Sequence, residues 1–227
     1  MRESLAEHVR AIVFDFDGLL MDTESTMLRS WQWEWEQWGL TLDTGSFFAN
    51  HGGDVTEERC AALAAAAGPG FDLAASQQRR RAYRDKLHED LDLAPGMREW
   101  LAEAKGMGLR LALASGSGRE WLTMHLDRVG VTDAFEVIAS GDEVPRTKPA
   151  PDVYRLALGR LSLPGAAAVA AEDTAHGVTA AQAAGLRCIA IPNPFVAPER
   201  VRHADLVLSS ASECTLQDAL ARIGQRA

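Results

Sequence analysis

Four apolar residues, Ala11-Ile-Val-Phe14, run directly into Asp15-Phe-Asp17 and then Gly18. Such a run suits a short strand buried on both faces, the kind found in parallel sheets. Two carboxylates placed at its end are expensive to bury unless something positive meets them. The feature therefore calls for a fold in which the carboxyl end of a buried strand opens onto a crevice. Open α/β sheets bind their ligands at that place.

The remainder of the chain supplies the partners for such a strand. Strand-like runs are expected over 109–114, 135–139, 168–171, 187–191 and 205–208. Helical stretches fall between them, over 119–129, 151–161 with Pro151 as an early helix residue, and the Ala-rich 179–184. Strands alternating with helices imply a Rossmann-like parallel sheet with helices on both faces. Residues 22–95 read differently: good β runs are missing, and helices are expected near 24–38, 56–67 and 73–90, with Gly68-Pro-Gly70 between the last two. Pro95-Gly96 marks the return to the α/β pattern. The expected organisation is an α/β core of 1–21 and 96–227 interrupted by an α-helical insert over 22–95.

Bulk properties narrow the function. A formal charge of −9 disfavours nucleic acid and anionic membrane as partners but leaves room for a local anion site. Cys60, Cys188 and Cys214 are far apart and odd in number, which gives neither a disulfide framework nor a CxxC metal pair. They read as reduced thiols in a cytoplasmic protein. No stretch approaches the length of a membrane span.

The carboxylates recur at a second strand end, where Glu172-Asp173 follows the run 168–171. Two like charges at 4 Å repel by about 1 kcal/mol in water and roughly 4 kcal/mol at an effective dielectric of 20. Four carboxylates converging on one crevice therefore require a cation, and an all-oxygen, hydrated donor set favours Mg²⁺. Taken singly, each pair could equally be strand-end caps. Ser115-Gly-Ser-Gly118 joins a strand to a helix, so its amides and the Ser115 hydroxyl could hold an anion, or it could be a plain capped turn. It is not a dinucleotide fingerprint, because Trp121 stands where the third glycine belongs. Lys148, ahead of Pro149 and a helix start, offers one positive charge on a stiff platform.

The four pieces "DFDGLLMDTE", "LALASGS", "KPAPDVY" and "AEDTAHGVTAAQAAG" resemble, in order, the four motifs of the haloacid dehalogenase (HAD) superfamily. The helical insert resembles the C1 cap of its β-phosphoglucomutase-like phosphatases. The resemblance implies Asp15 as the nucleophile that forms an aspartyl-phosphate and Asp17 as general acid/base. It implies Mg²⁺ held by Asp15, the Asp17 carbonyl and Asp173, with Glu172 supporting through water. Ser115, Gly116 and Lys148 would bind the transferring phosphoryl group.

Within that family the expected activity is a Mg²⁺-dependent phosphatase acting on a small sugar or metabolite phosphate, as a monomer. The alternatives are a phosphomutase of the β-phosphoglucomutase type and a non-catalytic phosphate-binding protein. Such mutases carry a histidine where this chain has Met27, and a Lys-Gly-x-Ser-Arg hook where it has His51-Gly-Gly-Asp-Val-Thr56. Both departures favour the phosphatase. Residues 51–54 read either as a specificity loop or as an inter-helix turn. Trp31, Trp35 and Trp38 share a helical face with Leu28 and read as packing for the insert. The basic run Arg79, Arg80, Arg81, Arg84 and Lys86 reads as a solvated helix face.

Overall fold

The computed structural model describes residues 8–45, 47–48 and 55–225. The 51–54 segment lies outside the described residues. The chain divides into two compact units, Met1–Met21 with Asp92–Ala227, and Asp22–Leu91. The strands are β1 (Ala11–Phe14), β2 (Arg110–Ala114), β3 (Val137–Ala139), β4 (Ala168–Glu172), β5 (Arg187–Ala190) and β6 (Leu206–Val207). The helices are α1 (Thr23–Glu36), α2 (Thr56–Ala67), α3 (Leu73–Glu89), α4 (Met97–Gly106), α5 (Arg119–Arg128), α6 (Asp152–Leu161), α7 (Ala175–Ala183) and α8 (Leu216–Gln225).

In the first unit all six strands form one parallel sheet in the order β3-β2-β1-β4-β5-β6. Side chains alternate across a strand, and the alternation divides the core in two. On one face Ala11, Val13, Ala112, Ala114, Ala168 and Ala170 meet Tyr154 and Leu158 of α6 and Val178 and Ala181 of α7. The small strand residues let these helices lie close to the sheet. The alternating residues Ile12, Phe14, Leu111, Leu113 and Val169 are equally buried on the other face. There α4 packs on β2, and α8 on β5 and β6.

Two of those helices, α4 and α8, were not anticipated from the sequence, although each carries a helical stripe. Met97, Trp100, Leu101 and Ala104 are buried on α4, and Leu216, Ala219, Leu220 and Ile223 on α8. Each fully buried large side chain contributes roughly 1.5–3 kcal/mol. Polar contacts join the pair: Trp100 Nε1 donates to the Cys214 carbonyl at 3.0 Å, and the Leu216 amide to Glu103 Oε2 at 2.7 Å. Three expectations shift. The helix expected over 179–184 starts at Ala175, because the Thr174 hydroxyl accepts from the Gly177 amide and caps it. The strand expected over 135–139 shrinks to Val137–Ala139, since a 3₁₀ turn over Thr132–Ala134 delays it. Pro151 stands just before α6, as its N-cap.

The second unit is helical and has a core of its own, with Trp31, Phe47, Cys60 and Leu63 at the centre and Leu28, Trp35 and Trp38 against them. Trp33 stacks on Tyr83 of α3 at 4.6 Å. The basic run is not wholly a solvated face. Arg80 is buried with its guanidinium 4.3 Å from the Trp31 ring centre, and Arg79 Nη2 pairs with the buried Glu34 at 2.5 Å. Arg81 and Lys86 do face solvent. A helix bundle that buries Glu34 and Trp31 on α1 turns cations of α3 towards them.

A close backbone approach ties the loop after β2 to the loop after β3. The Gly141 amide donates to the Ser117 carbonyl at 2.8 Å, and a Cβ on Gly141 would stand 1.9 Å from the Gly116 carbonyl oxygen. Gly141→Ala should therefore cost about 1–3 kcal/mol and lower Tm by roughly 2–4 °C per kcal/mol. Gly106→Ala, at the end of α4 with nothing within 4 Å of the added Cβ, should leave Tm unchanged or raise it. Thermal unfolding of the two variants checks this, and equal Tm values would contradict it.

Candidate active site

The sheet order sets the position of the site. Strand β1 lies between β2 and β4, and the chain passes from β1 to β2 and from β4 to β5 in opposite directions, so the carboxyl ends of β1 and β4 flank a crevice. Phe14 is level with both Leu113 and Ala171. The next residues, Asp15, Ala114-Ser115 and Glu172-Asp173, therefore emerge side by side. The Asp15 amide still bonds to the Ala171 carbonyl at 2.9 Å, and the Ser115 amide to the Ala139 carbonyl at 3.1 Å. Asp15 and Ser115 thus stand on the last hydrogen-bonded rungs of the sheet rather than on loose loops.

One cluster is built around Lys148. Its Nζ donates to Asp15 Oδ1 at 2.5 Å and to Glu172 Oε1 at 2.6 Å. Glu172 Oε1 also accepts from the Tyr154 hydroxyl at 2.7 Å, and its Oε2 from the Asp173 amide at 3.1 Å. Asp173 Oδ2 accepts from Asn193 Nδ2 at 2.7 Å. Asp15, Glu172 and Asp173 are all buried, and each offers an oxygen within 4.8 Å of the others. Burial pushes the Asp15 carboxyl up to about 7 although Lys148 opposes the shift, with Glu172 and Asp17 adding to it. Burial alone would depress the Lys148 ammonium, but Asp15 and Glu172 outweigh that and raise it.

The charge count decides what this cluster can hold. Three buried carboxylates share one ammonium, which leaves two negative charges uncompensated away from bulk water. The donors are all carboxylate oxygens, which suit a hard divalent cation. The residues therefore fit a metal ion. The turn after β1 keeps room there: Gly18 has φ +82°, and a Cβ on it would lie 2.2 Å from Asp173 Oδ2. Any side chain would push into that carboxylate as well as strain the backbone.

A second cluster holds Asp17. Its Oδ2 accepts from Ser117 Oγ at 2.6 Å and lies 3.5 Å from Ser115 Oγ, while its Oδ1 accepts from Trp121 Nε1 at 3.1 Å. Ser115 Oγ accepts from the Ser117 amide at 3.0 Å, which closes the loop into a small turn. Gly116 is exposed at the tip of that turn.

The structure thus brings Asp15, Lys148, Glu172 and Asp173 together, and sets Asp17 and Ser115 in the neighbouring group. Four contributors do not stand out in the sequence: Ser117, Trp121, Tyr154 and Asn193. Ser117 and Tyr154 lie inside stretches already singled out, and Asn193 sits just past β5 as Asp173 sits just past β4. A polar residue closing the strand beside a carboxylate strand is the signal that would have found it. Trp121 carried no such signal.

The sequence profile of the family described as "Haloacid dehalogenase-like hydrolase" matches residues 12–191. CbbY of Cereibacter sphaeroides is 33% identical over 226 residues, covering 90% of this chain and 94% of CbbY. Hexitol phosphatase B of Escherichia coli K12 is 31% identical over 221 residues, covering 96% of this chain and 99% of that protein. Among solved structures, CbbY of Rhodobacter sphaeroides in complex with phosphate superposes with a TM-score of 0.71 at 32% identity, over 90% of this chain and 96% of that one. Family match and site geometry agree, and the chain belongs to the haloacid dehalogenase-like hydrolase family.

Proposed function

We propose that the protein is a Mg²⁺-dependent phosphatase that hydrolyses a small phosphate monoester, of a sugar or related metabolite, through an aspartyl-phosphate on Asp15. The observation that carries this reading is the buried Asp15–Lys148–Glu172 contact beside Asp173, with a second aspartate two residues along the chain. A phosphatase needs a nucleophile, a proton donor and positive charge at one place, and these residues provide each. The relatives named above support a phosphate ester as substrate.

In the first step an Asp15 carboxylate oxygen bonds to phosphorus while the ester P–O bond breaks. The electron pair leaves with the alcohol oxygen, which takes a proton from Asp17. In the second step Asp17 removes a proton from water, the water oxygen bonds to phosphorus, and the P–O bond to Asp15 breaks. Inorganic phosphate is released and Asp15 regenerated. Lys148 holds Asp15 Oδ1 in place, and Ser115 with the Gly116 amide would bind phosphoryl oxygens. Asp15, Asp173 and the Asp17 carbonyl would hold Mg²⁺, which supplies charge neutralisation for phosphoryl transfer. Glu172 keeps Lys148 in position through their 2.6 Å contact.

The helical unit Asp22–Leu91 would serve as the cap that selects the substrate, since it interrupts the chain between β1 and the rest of the sheet. Met27 packs against the helical core and accepts from Arg59 Nη1 through its sulfur at 3.2 Å. A thioether committed to packing does not replace an acid/base histidine, which favours hydrolysis over mutase chemistry. No helix among the described residues is long and apolar enough to cross a membrane.

Phosphate release from sugar and polyol phosphates should require Mg²⁺, and Asp15→Asn should lower kcat by roughly 10³-fold or more. Release that survives the substitution would contradict the assignment. Metal and protons should also compete. The folded Asp15 carboxyl lies near 7, above its ordinary 3.8, so its contribution to stability is present at low pH and lost as pH rises through 7 in the metal-free protein. Mg²⁺ needs the ionised carboxylates, so its increase of Tm should be small at pH 5 and larger at pH 8. An equal increase at both would count against this site as the metal site.

A further inference from the structure

The indole of Trp121 is a donor to the Asp17 carboxylate. It reaches from the first turn of α5 and places its only polar atom, Nε1, 3.1 Å from Asp17 Oδ1. The ring is held from behind by the buried His125, edge to face at 4.2 Å, and His125 in turn lies 6.0 Å from the Phe16 ring next to Asp17. The other carboxylate oxygen, Oδ2, is held by Ser117 Oγ at 2.6 Å. Each oxygen of Asp17 therefore has its own donor, delivered by a different part of the β2–α5 connection. Two donors at two oxygens fix the rotation of a carboxylate about its Cβ–Cγ bond, which one donor cannot do.

We propose that Trp121 is a positioning residue that, with Ser117, orients the Asp17 carboxyl for proton transfer to the leaving group. The inference rests on the reading of Asp17 as general acid/base. The two donors are not equivalent. An indole N–H can only donate, whereas a serine hydroxyl can rotate to accept. Oδ1 thus stays an acceptor towards Trp121, and the acid form of Asp17 carries its hydrogen on Oδ2, on the Ser117 side. When the ester P–O bond breaks, the departing oxygen keeps the electron pair and receives that hydrogen, leaving Asp17 as a carboxylate still held by Trp121. The residue acts through Asp17 and not on the substrate, so its effect should grow with the leaving group's need for a proton.

The test is the dependence of kcat/KM on leaving group, measured from nitrophenyl phosphate to alkyl and sugar phosphates with Mg²⁺. kcat/KM reports the step in which the alcohol departs and excludes the later hydrolysis. Trp121→Phe keeps an aromatic ring on the side of His125 and removes the N–H donor together with part of the ring. It should lower kcat/KM by ~10-fold or more for alkyl phosphates and by a clearly smaller factor for nitrophenyl phosphate, so that the leaving-group slope steepens. Ser117→Ala should steepen it in the same direction, which keeps the proposal testable if one variant folds poorly. An equal fractional loss on every substrate would mark Trp121 as structural and overturn the proposal, as would an unchanged slope. Wild type and Asp15→Asn are measured alongside. Silence of the wild type on all esters, or full activity of Asp15→Asn, would instead remove the phosphatase reading, and the assignment with it.

Discussion

The ammonium of Lys148, set between Asp15 of β1 and Glu172 of β4, is the contact on which the site depends. It joins the two strands that flank the crevice, at the point where the sheet's connections diverge. Without it, adjacent strand ends would present three buried carboxylates with no positive charge among them, an arrangement that favours their protonation over their charged forms. With it, the negative excess falls to two charges. That remaining excess makes the place attractive to a divalent cation and to a substrate that arrives with one. Burial raises the Asp15 carboxyl to about 7, with Glu172 and Asp17 adding to the rise, and a cation joining Lys148 beside it would favour the ionised form.

Rigidity follows from where these groups stand. Asp15 and Ser115 extend the backbone ladders of β1 and β2, and Tyr154 of α6 braces Glu172 from the sheet face that also carries the alanine-lined core. Asn193, beyond β5, braces Asp173 from the other side. A second tier, made by the loop after β2 and the first turn of α5, governs Asp17. In the proposed reaction the first tier would handle phosphorus and charge, and the second the proton. The two aspartates share a strand end, yet they answer to different neighbours.

Much of this was visible in the sequence because the determinants are local. An apolar tetrad ending in Asp15 and Asp17, a strand-to-helix turn of serines and glycines, and a lysine before a proline each declare themselves within ten residues. The identity of the strands followed from short apolar runs, and their parallel pairing from the helices between them. What escaped notice depends on distant partners or on two-sided packing. Trp121 meets Asp17 across 104 positions and Asn193 meets Asp173 across 20, and neither residue type advertises a carboxylate partner. Arg80 reads as solvated because a run of cations on a helix usually faces water, but burial of Trp31 on α1 draws its guanidinium inward. Helices α4 and α8 carry a plain i, i+3, i+4, i+7 stripe. Each lies next to a stronger local signal, the turn at Pro95-Gly96 for α4 and the last strand for α8.

In the proposed reaction Asp15, and not water acting directly, attacks phosphorus. The most direct measurement is a single turnover with Mg²⁺ and a phosphate ester, quenched in acid within the burst, followed by mass analysis of the peptides. One phosphoryl group on the peptide that carries Asp15, rising and falling as alcohol and then phosphate appear, is the result expected. Phosphate appearing together with the alcohol while no peptide ever carries a phosphoryl group, or a label on any residue other than Asp15, would contradict the account.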